Sequence, residues 1–325
     1  MLTSGQPSSG KRKTFPMSQR FSTHFPTVTA VSITRRNFLS SAAMLAGVVR
    51  GQSPQRTRSD QVKRDRIGIM TLSFDRVLKS ARHPDDPSRT LDILDAPQMI
   101  ADRYGVHHVE FQHSHLASTD SSYLRELRGR LRQAKSQMNQ ICLEFGNLNI
   151  SSPDPVLRNE TVDLTKQWID HAAELGCRRV MLNQGTLAPE VRQPAIATLQ
   201  RIAGYGKQKK VCITLESRGH GPTPTNPSWE VVVEVIKAAS IHANPDTGNF
   251  KDEASRAAGL RAMYPLSCGS SHAHYDPERY SEANAIGIAK EVGYRGLYSI
   301  EATAANGPDP YLAVQTIIEE LVKDI

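Results

Sequence analysis

Acidic and imidazole side chains follow short apolar segments in the second half of the chain. Glu216 ends the segment V-C-I-T-L-E, Asp246 ends I-H-A-N-P-D, and Glu301 ends G-L-Y-S-I-E. His272 and His274 alternate in S-S-H-A-H-Y-D, so a strand at this point would place both imidazoles on one face. Carboxylates gathered at one point repel one another unless a cation lies among them. The pattern therefore predicts a divalent metal site, provided that the fold brings these positions together.

Each of these residues also has an ordinary structural interpretation. A glutamate at the end of a strand commonly forms a loop salt bridge, and Asp246-Thr247-Gly248 has the composition of a turn. The H-x-H pair could be hydrogen-bonded core histidines. The joint pattern favours the metal site, because four successive strand candidates each end with one oxygen or nitrogen ligand. Glu110 and Glu144 also end strand candidates, but the pattern gives neither a partner, so each is a candidate to contact the ligands or the substrate.

The elements that would position these side chains repeat along the chain. From residue 67 onward, short apolar runs alternate with amphipathic stretches at intervals of roughly 30 to 40 residues, which is typical of successive βα units and a parallel sheet. The eight strand candidates are 67–71, 108–111, 141–145, 179–182, 211–216, 241–244, 269–274 and 296–301. The helix candidates are 97–104, 122–138, 162–175, 194–205, 228–239, 253–263, 281–292 and 311–322.

Eight such units fit a closed (β/α)8 barrel, or TIM barrel, better than an open doubly wound sheet. The first strand candidate is not followed by the G-x-G-x-x-G turn that the open, dinucleotide-binding fold uses. In a barrel of this kind the working site lies at the C-terminal ends of the strands. The sequence therefore predicts a single barrel domain over residues 67–325, with the candidate ligands gathered at one mouth.

Composition and charge narrow the possible functions. The chain has 325 residues, of which 38% are hydrophobic and 22% charged, which excludes collagen-like, coiled-coil, disordered and multi-span membrane classes. The net charge is +7, but residues 1–66 hold 12 of the 40 basic and 2 of the 33 acidic residues. That leaves 28 basic and 31 acidic residues, a net charge of −3, for residues 67–325. A nucleic-acid partner is not expected, because its binding needs positive charge on the folded surface.

The N-terminal region is predicted to be a leader that carries an export signal. Residues 1–30 are rich in Ser, Thr, Pro and Gly and are expected to be disordered. The segment T-R-R-N-F-L at 34–39 and the apolar run to residue 49 resemble a twin-arginine signal, too short for a stable membrane span. It implies the twin-arginine export machinery as a partner and a periplasmic location, although the arginine pair could also be fortuitous. Residues 1–51 are thus predicted as the leader and 52–66 as a linker, with cleavage and the true start (Met17 is one option) left open.

The four cysteines fit buried free thiols. Cys142, Cys177, Cys212 and Cys268 lie in or beside strand-like segments, with none of the C-x-x-C spacing that zinc binding or thiol exchange uses. Four cysteines could pair in three ways, and nothing in the sequence selects one.

Taken together, these motifs resemble the xylose isomerase-like barrel superfamily of sugar isomerases, epimerases and related lyases. The resemblance covers residues 67–325 through G-V-H-H-V-E, I-T-L-E, P-D-T-G-N-F, H-A-H and Y-S-I-E. It implies that one divalent ion (Mn, Co, Mg or Zn) is bound by Glu216, Asp246, His274 and Glu301, with the second histidine of H-x-H as the ligand. His272 would then line the substrate pocket. Other candidates for substrate binding at strand ends are His113, Glu110, Asn183 and Arg218.

Such an ion could chelate a hydroxyl and a neighbouring carbonyl of a sugar, polyol or sugar acid and acidify the adjacent C–H bond. Glu216 and Glu301 would be the catalytic residues that remove and return the proton. Epimerisation, aldose-ketose isomerisation and dehydration all share this chemistry. Ketose 3-epimerases of the superfamily usually carry a histidine and an arginine where this chain has Asn249 and Tyr280, so that subtype is not expected.

Two other functions remain open from the sequence. One is a catalytically inactive carbohydrate-binding barrel that retains the pocket. The other is a metal nuclease like the endonuclease-IV relatives, which is disfavoured because such a site needs more histidines, including one at Asn249. The sequence does not define the oligomeric state.

Overall fold

The computed structural model describes residues 57–80, 83–218 and 227–325. The predicted leader and twin-arginine signal at 1–51, and the first residues of the predicted linker, lie outside the described residues. Most of the predicted barrel is described.

Eight parallel strands alternate with helices along the described chain. The strands are β1 (Ile67–Met70), β2 (His108–Gln112), β3 (Gln137–Leu143), β4 (Arg179–Leu182), β5 (Cys212–Glu216), β6 (His242–Asn244), β7 (Ser270–Ala273) and β8 (Leu297–Ile300). The helices are α1 (Arg58–Arg64), α2 (Ala96–Tyr104), α3 (Ser121–Gln133), α4 (Pro155–Leu175), α5 (Pro189–Lys209), α6 (Trp229–Ala239), α7 (Glu253–Met263), α8 (Glu282–Glu291) and α9 (Pro310–Asp324).

The strands form one sheet in the order β6-β5-β4-β3-β2-β1-β8-β7, which curls until its two edges meet. At the meeting of β6 and β7, which we call the β6–β7 seam, the described residues form two isolated parallel bridges, Ala243 to Ser267 and Asp246 to His272. The His272 N–H donates to the Pro245 carbonyl at 2.8 Å, and the Thr247 N–H donates to the His272 carbonyl at 3.2 Å. The predicted (β/α)8 barrel is confirmed.

Alternation along each strand separates the apolar core from the barrel interior. On β5, Ile213 and Leu215 belong to the hydrophobic core between strands and helices, whereas the Thr214 hydroxyl donates inward to Gln140 at 3.5 Å. The helix packs closely here, since a Cβ at Gly206 of α5 would lie 3.0 Å from a side-chain carbon of Ile213. The other face of β5 is therefore free to carry polar groups, ending with Glu216.

Helix starts follow local capping chemistry. The Asp154 carboxylate accepts the Val156 N–H at 2.8 Å at the start of α4, and Asp309 accepts the Tyr311 N–H at 2.8 Å at the start of α9. A proline follows each aspartate, where its missing N–H costs nothing. These caps fix where each helix departs from the loop at the barrel mouth.

Two boundaries differ from the sequence prediction. The third helix was expected to reach residue 138, but α3 ends at Gln133 and β3 already begins at Gln137. The reversal between them uses Lys135 at φ 53°. Helix α1 lies within the segment predicted as a linker, and the Arg64 guanidinium donates to the Tyr104 carbonyl at 3.0 Å. Among the described helices, none is both long and apolar enough to cross a bilayer.

Candidate metal centre

Four ligand-type side chains meet at the C-terminal mouth of the barrel. Glu216 is the last residue of β5, Asp246 follows β6 by two residues, His272 lies on β7, and Glu301 directly follows β8. One ligand atom from each lies within 4.8 Å of the others. Glu216, Asp246 and His272 are buried, and the Glu301 side chain is 19% exposed. The structure thus brings together three predicted metal ligands and His272, which was predicted to contact substrate.

His272 is the centre of this cluster. Its Nδ1 lies 2.5 Å from Oε1 of Glu216 and 3.2 Å from Oε2 of Glu301. On the other side of the ring, Nε2 lies 2.9 Å from Oε1 of Glu110. Glu110 is fully buried, and among the described residues its second oxygen has no hydrogen-bond partner. Glu110 therefore holds the imidazole from below the site.

His274, predicted as the fourth ligand, lies at the edge of the cluster. Its Nε2 is 3.0 Å from Oδ2 of Asp246 and 3.5 Å from Oε2 of Glu301. The close approach requires a glycine opposite, because a Cβ at Gly248 would lie 2.8 Å from Cβ of His274. Both histidines face the same carboxylates, so the choice between His272 and His274 as the nitrogen ligand stays a prediction.

The turn after β6 fixes the orientation of Asp246. Its Oδ1 accepts the backbone N–H groups of Gly248 at 2.7 Å and Asn249 at 2.9 Å. The turn interpretation and the ligand interpretation are therefore compatible, since Oδ2 still points to the imidazoles. One oxygen holds the backbone, and the other belongs to the cluster.

Arg218, predicted to bind substrate, lies beside Glu216. Its Nε donates to Oε2 of Glu216 at 2.8 Å, and its other end pairs with Glu144. The guanidinium thus supplies positive charge to the rim of the cluster and connects the ends of β3 and β5. The next residues, 219–226, lie outside the described part of the chain.

The remaining predicted contacts are at the periphery. The His113 ring accepts the Glu144 N–H at Nδ1, at 3.2 Å, and packs edge-on against Trp168 with 5.4 Å between ring centroids. Asn183 accepts the Gly185 N–H at 2.9 Å within its own turn. These contacts show roles in holding loops at the mouth; substrate binding by either residue stays a prediction.

Burial and charge set the protonation of the cluster. Burial raises the pKa of Glu216 to about 7, against the opposing effect of His272. Burial also opposes ionisation of His272, but Glu110 and Glu216 outweigh it and hold the His272 pKa well above its usual value. For Glu301, the effect of burial is outweighed by His274 and His272, which hold its pKa well below the usual range. The two predicted catalytic carboxylates therefore differ, and Glu216 is the one suited to accept a proton near neutral pH.

A polar layer beneath the cluster was not predicted. Gln140 on β3 donates to Glu110 Oε1 at 2.9 Å and to Asn244 Oδ1 at 3.2 Å. Thr214 completes this layer from β5. Its sequence signal was the polar residues within the strand segments β3 and β6, Gln140 and Asn244, which a search for apolar runs does not register. The layer supports Glu110, which in turn supports His272.

The residues present suit a divalent cation. When ionised, Glu110, Glu216, Asp246 and Glu301 carry four negative charges, which exceed by two the positive charge of a protonated His272 and His274. Arg218 does not remove this excess, because it is shared with Glu144. Carboxylate oxygens with one imidazole nitrogen are a donor set for Mn, Mg, Co or Zn. The histidine that binds the ion must give up its proton, so a divalent ion here would offset part of this excess negative charge.

A cavity of about 760 Å³ adjoins the cluster, which is in the range of small-molecule sites. Its wall includes His274 and Glu301 from the cluster and Asn249 from the turn after β6. A small ligand in this cavity would therefore touch two of the charged groups.

The fold and the site together define the class of this protein. It is a parallel (β/α)8 barrel with a cluster of acidic and imidazole side chains at the C-terminal ends of its strands. The family model described as "Xylose isomerase-like TIM barrel" matches residues 100–321. The chain belongs to that family. A comparison with curated proteins found no significant match.

Solved structures share this fold at low sequence identity. A xylose isomerase domain protein from Planctomyces limnophilus aligns with a TM-score of 0.58 and 16% identity over 79% of this chain and 95% of the other. D-psicose 3-epimerase from Clostridium cellulolyticum H10, solved with D-tagatose, aligns with a TM-score of 0.62 and 13% identity over 80% of this chain and 96% of the other. A 3-keto-D-glucoside 4-epimerase from E. coli aligns with a TM-score of 0.60 and 13% identity over 79% of this chain and 98% of the other. These similarities establish the fold.

Proposed function

We propose that this protein is a divalent-metal-dependent isomerase or epimerase, or a related lyase, that acts on a sugar, polyol or sugar acid. The observation that carries the proposal is the convergence of Glu216, Asp246, His272 and Glu301 within 4.8 Å at the barrel mouth. The sugar epimerases among the structural neighbours support the substrate class.

The metal would be held by Glu216, Asp246, Glu301 and one of the two neighbouring histidines. When bound, it would supply a Lewis acid that polarises a substrate carbonyl and makes the adjacent C–H bond more acidic. The adjoining cavity of about 760 Å³ has room for a monosaccharide or a small derivative.

The proton transfer itself belongs to the two glutamates. Glu216, whose pKa burial raises to about 7, removes the proton next to the carbonyl. Glu301, at the end of β8, returns a proton. Its own pKa is held low, so the proton must reach it through a neighbour, and protonated His274, 3.5 Å away, is the source that the site offers. Return to the same carbon gives epimerisation, and return to the neighbouring carbon gives isomerisation. His272 orients Glu216 through the 2.5 Å contact at its Nδ1.

Tyr280 supports a reaction other than ketose 3-epimerisation. Its hydroxyl donates to the Phe250 carbonyl, and its side chain is buried. It is thus a packing residue where those enzymes usually have an arginine. Asn249 lines the cavity but lacks an imidazole.

We also propose that the protein is exported to the periplasm by the twin-arginine machinery. The support is the T-R-R-N-F-L segment followed by an apolar run. Replacing Arg35 and Arg36 together by lysine should leave the protein in the cytoplasmic fraction. Equal periplasmic recovery of the variant and the wild type would overturn this part of the proposal.

The enzymatic proposal is tested by measuring metal content and solvent-deuterium incorporation into a panel of sugars. The wild type should retain one equivalent of divalent metal and exchange a proton of at least one sugar. Glu216→Gln should lose exchange and weaken metal binding, whereas Glu234→Gln, a surface control on α6, should behave as wild type. If Glu216→Gln kept both metal binding and proton exchange, the proposed site would be refuted. Bound metal without exchange across the panel would instead favour a binding protein.

A further inference from the structure

Three of the four cysteines lie at the N-terminal end of the barrel, opposite the carboxylate cluster, and Cys212 and Cys268 are the two that are not fully buried. Cys212 is the first residue of β5, and Cys268 lies two residues before β7. Both are half-buried, whereas Cys142 and Cys177 are buried. This end of the barrel thus holds the two thiols that are most accessible to solvent.

Strand register places these groups on the inner face. Arg179 of β4 pairs with Cys212 of β5, and residues paired in this way point to the same side of a parallel sheet. The Arg179 guanidinium crosses the interior, donating to the Asn139 carbonyl at 3.1 Å and to the Cys268 carbonyl at 3.0 Å. Thr214, which points inward, pairs with His242 of β6. Cys212, Cys268 and His242 therefore lie together at the N-terminal end of the barrel interior, which we call the barrel floor.

The charge distribution favours a reactive thiolate. Cys268, His242 and Arg179 lie close enough to Cys212 to lower the pKa of its thiol to about 4. A low-pKa thiolate beside a second thiol is the arrangement that takes part in thiol–disulfide exchange.

A cavity of about 640 Å³ lies beside this end of the barrel. It lies between the ends of α5 and α6 and the starts of β5 and β6, and its wall includes Cys212 and His242. Lys207 and Lys210 also line it, and both are exposed. The cavity can therefore admit a small anionic disulfide to Cys212.

We propose that Cys212 and Cys268 are a redox-active pair that forms an intramolecular disulfide by exchange with a low-molecular-weight disulfide such as oxidised glutathione. The Cys212 thiolate attacks one glutathione sulfur, which forms a mixed disulfide and releases one glutathione thiolate. Cys268 loses its proton to solvent and attacks Sγ of Cys212, which forms the Cys212–Cys268 bond and releases the second glutathione thiolate. Two thiols are oxidised, and one glutathione disulfide is reduced to two thiols.

The bond would have a mechanical effect on the barrel. It would join β5 to the segment that enters β7 and so span the β6–β7 seam, where the described residues form two isolated bridges. A crosslink between residues far apart in sequence restricts the unfolded chain, so the oxidised barrel should resist denaturant better than the reduced one.

The test uses the purified full-length protein after incubation with either reduced or oxidised glutathione. Intact mass, thiol counting after denaturation and peptide mapping should show two of the four thiols lost under oxidation, in a Cys212–Cys268 linked peptide. The urea midpoint of the oxidised protein should be higher than that of the reduced protein. No linked peptide, or a link between other cysteines, would overturn the proposal.

Variants separate the two steps. Cys268→Ser should stop at the mixed disulfide and carry one glutathione on Cys212, whereas Cys212→Ser should acquire no adduct at this end. Cys177→Ser, the control, should form the same linkage as the wild type. An unmodified Cys212 in Cys268→Ser would contradict the assignment of the attacking thiol. None of these readouts depends on metal binding or sugar chemistry.

Discussion

Nε2 of His272 lies 2.9 Å from Oε1 of Glu110, a carboxylate with no exposed surface. The other nitrogen of the same ring faces Glu216 and Glu301, so a single imidazole connects the buried interior to the mouth. Partners on the far side of a ligand's imidazole commonly set its orientation and basicity.

The Glu110→Gln variant tests this support. The amide keeps the shape and can still accept a hydrogen bond from His272, but it removes the negative charge. We expect the affinity for Mn²⁺ to fall by about 10- to 100-fold, measured by calorimetric titration. Glu126→Gln, on the exposed face of α3, should bind as the wild type does. An affinity of Glu110→Gln equal to that of the control would show that Glu110 is only a packing residue.

The pH dependence of proton exchange should report Glu216. Because its carboxylate must be ionised to accept a proton, the rate should rise with pH through the midpoint of Glu216 and then level off. Burial raises that midpoint, and a cation bound at the cluster lowers it. Arg218→Met removes a guanidinium that stabilises the ionised form, so the midpoint should move to higher pH. Arg192→Met, which loses an ion pair with Glu234 between α5 and α6 and contacts none of the cluster residues, is the control. A midpoint that stays in place or moves down in Arg218→Met would contradict the assignment.

Arg256 and Arg261 offer a matched comparison of buried and exposed ion pairs between α7 and α8. Arg256 is fully buried, and its guanidinium pairs with Glu282 at 3.2 Å, whereas Arg261 pairs with Glu291 at 3.0 Å near the surface. Arg256→Met leaves a buried carboxylate without its partner, which should cost about 3–5 kcal/mol of unfolding free energy. Arg261→Met should cost much less, because solvent and salt screen an exposed ion pair. Urea denaturation measures both, and equal losses would refute the distinction.

Gly248 should be needed for the site rather than for stability. A Cβ there would lie 2.8 Å from Cβ and Cγ of His274, so Gly248→Ala must displace the imidazole. We expect weaker metal binding and slower exchange, with the barrel still folded by circular dichroism. Gly129→Ala is the control, because a Cβ at this position of α3 meets nothing within 4 Å and should stabilise the helix by about 0.5–1 kcal/mol. Normal metal binding by Gly248→Ala would show that His274 is dispensable.

The sequence predicts those parts of the site that follow from periodicity. Glu216, Asp246 and Glu301 each follow an apolar run, and a parallel barrel must gather such positions at one mouth. Alternation also places His272 and His274 on one face, but it does not give their depth. His272 lies on β7, while His274 comes after its end, so the two differ in what they contact.

Other features depend on contacts between distant parts of the chain. The early start of β3 was missed because its inward positions are polar: Gln140, for example, hydrogen bonds to Asn244 across the interior. Apolar patterning registers only the outer face of such a strand. The pairing of Arg218 with Glu144 joins two separate loops, and no local pattern encodes it.

The β6–β7 seam has a consequence for how the ring opens. Asp246 and His272, which form one of its two bridges, are also members of the acidic cluster. Any cation held there would connect β6 and β7, the two edge strands of the sheet. Cation binding and closure of the barrel would then be coupled. Amide hydrogens at the β6–β7 seam should exchange most slowly only when the cation is bound.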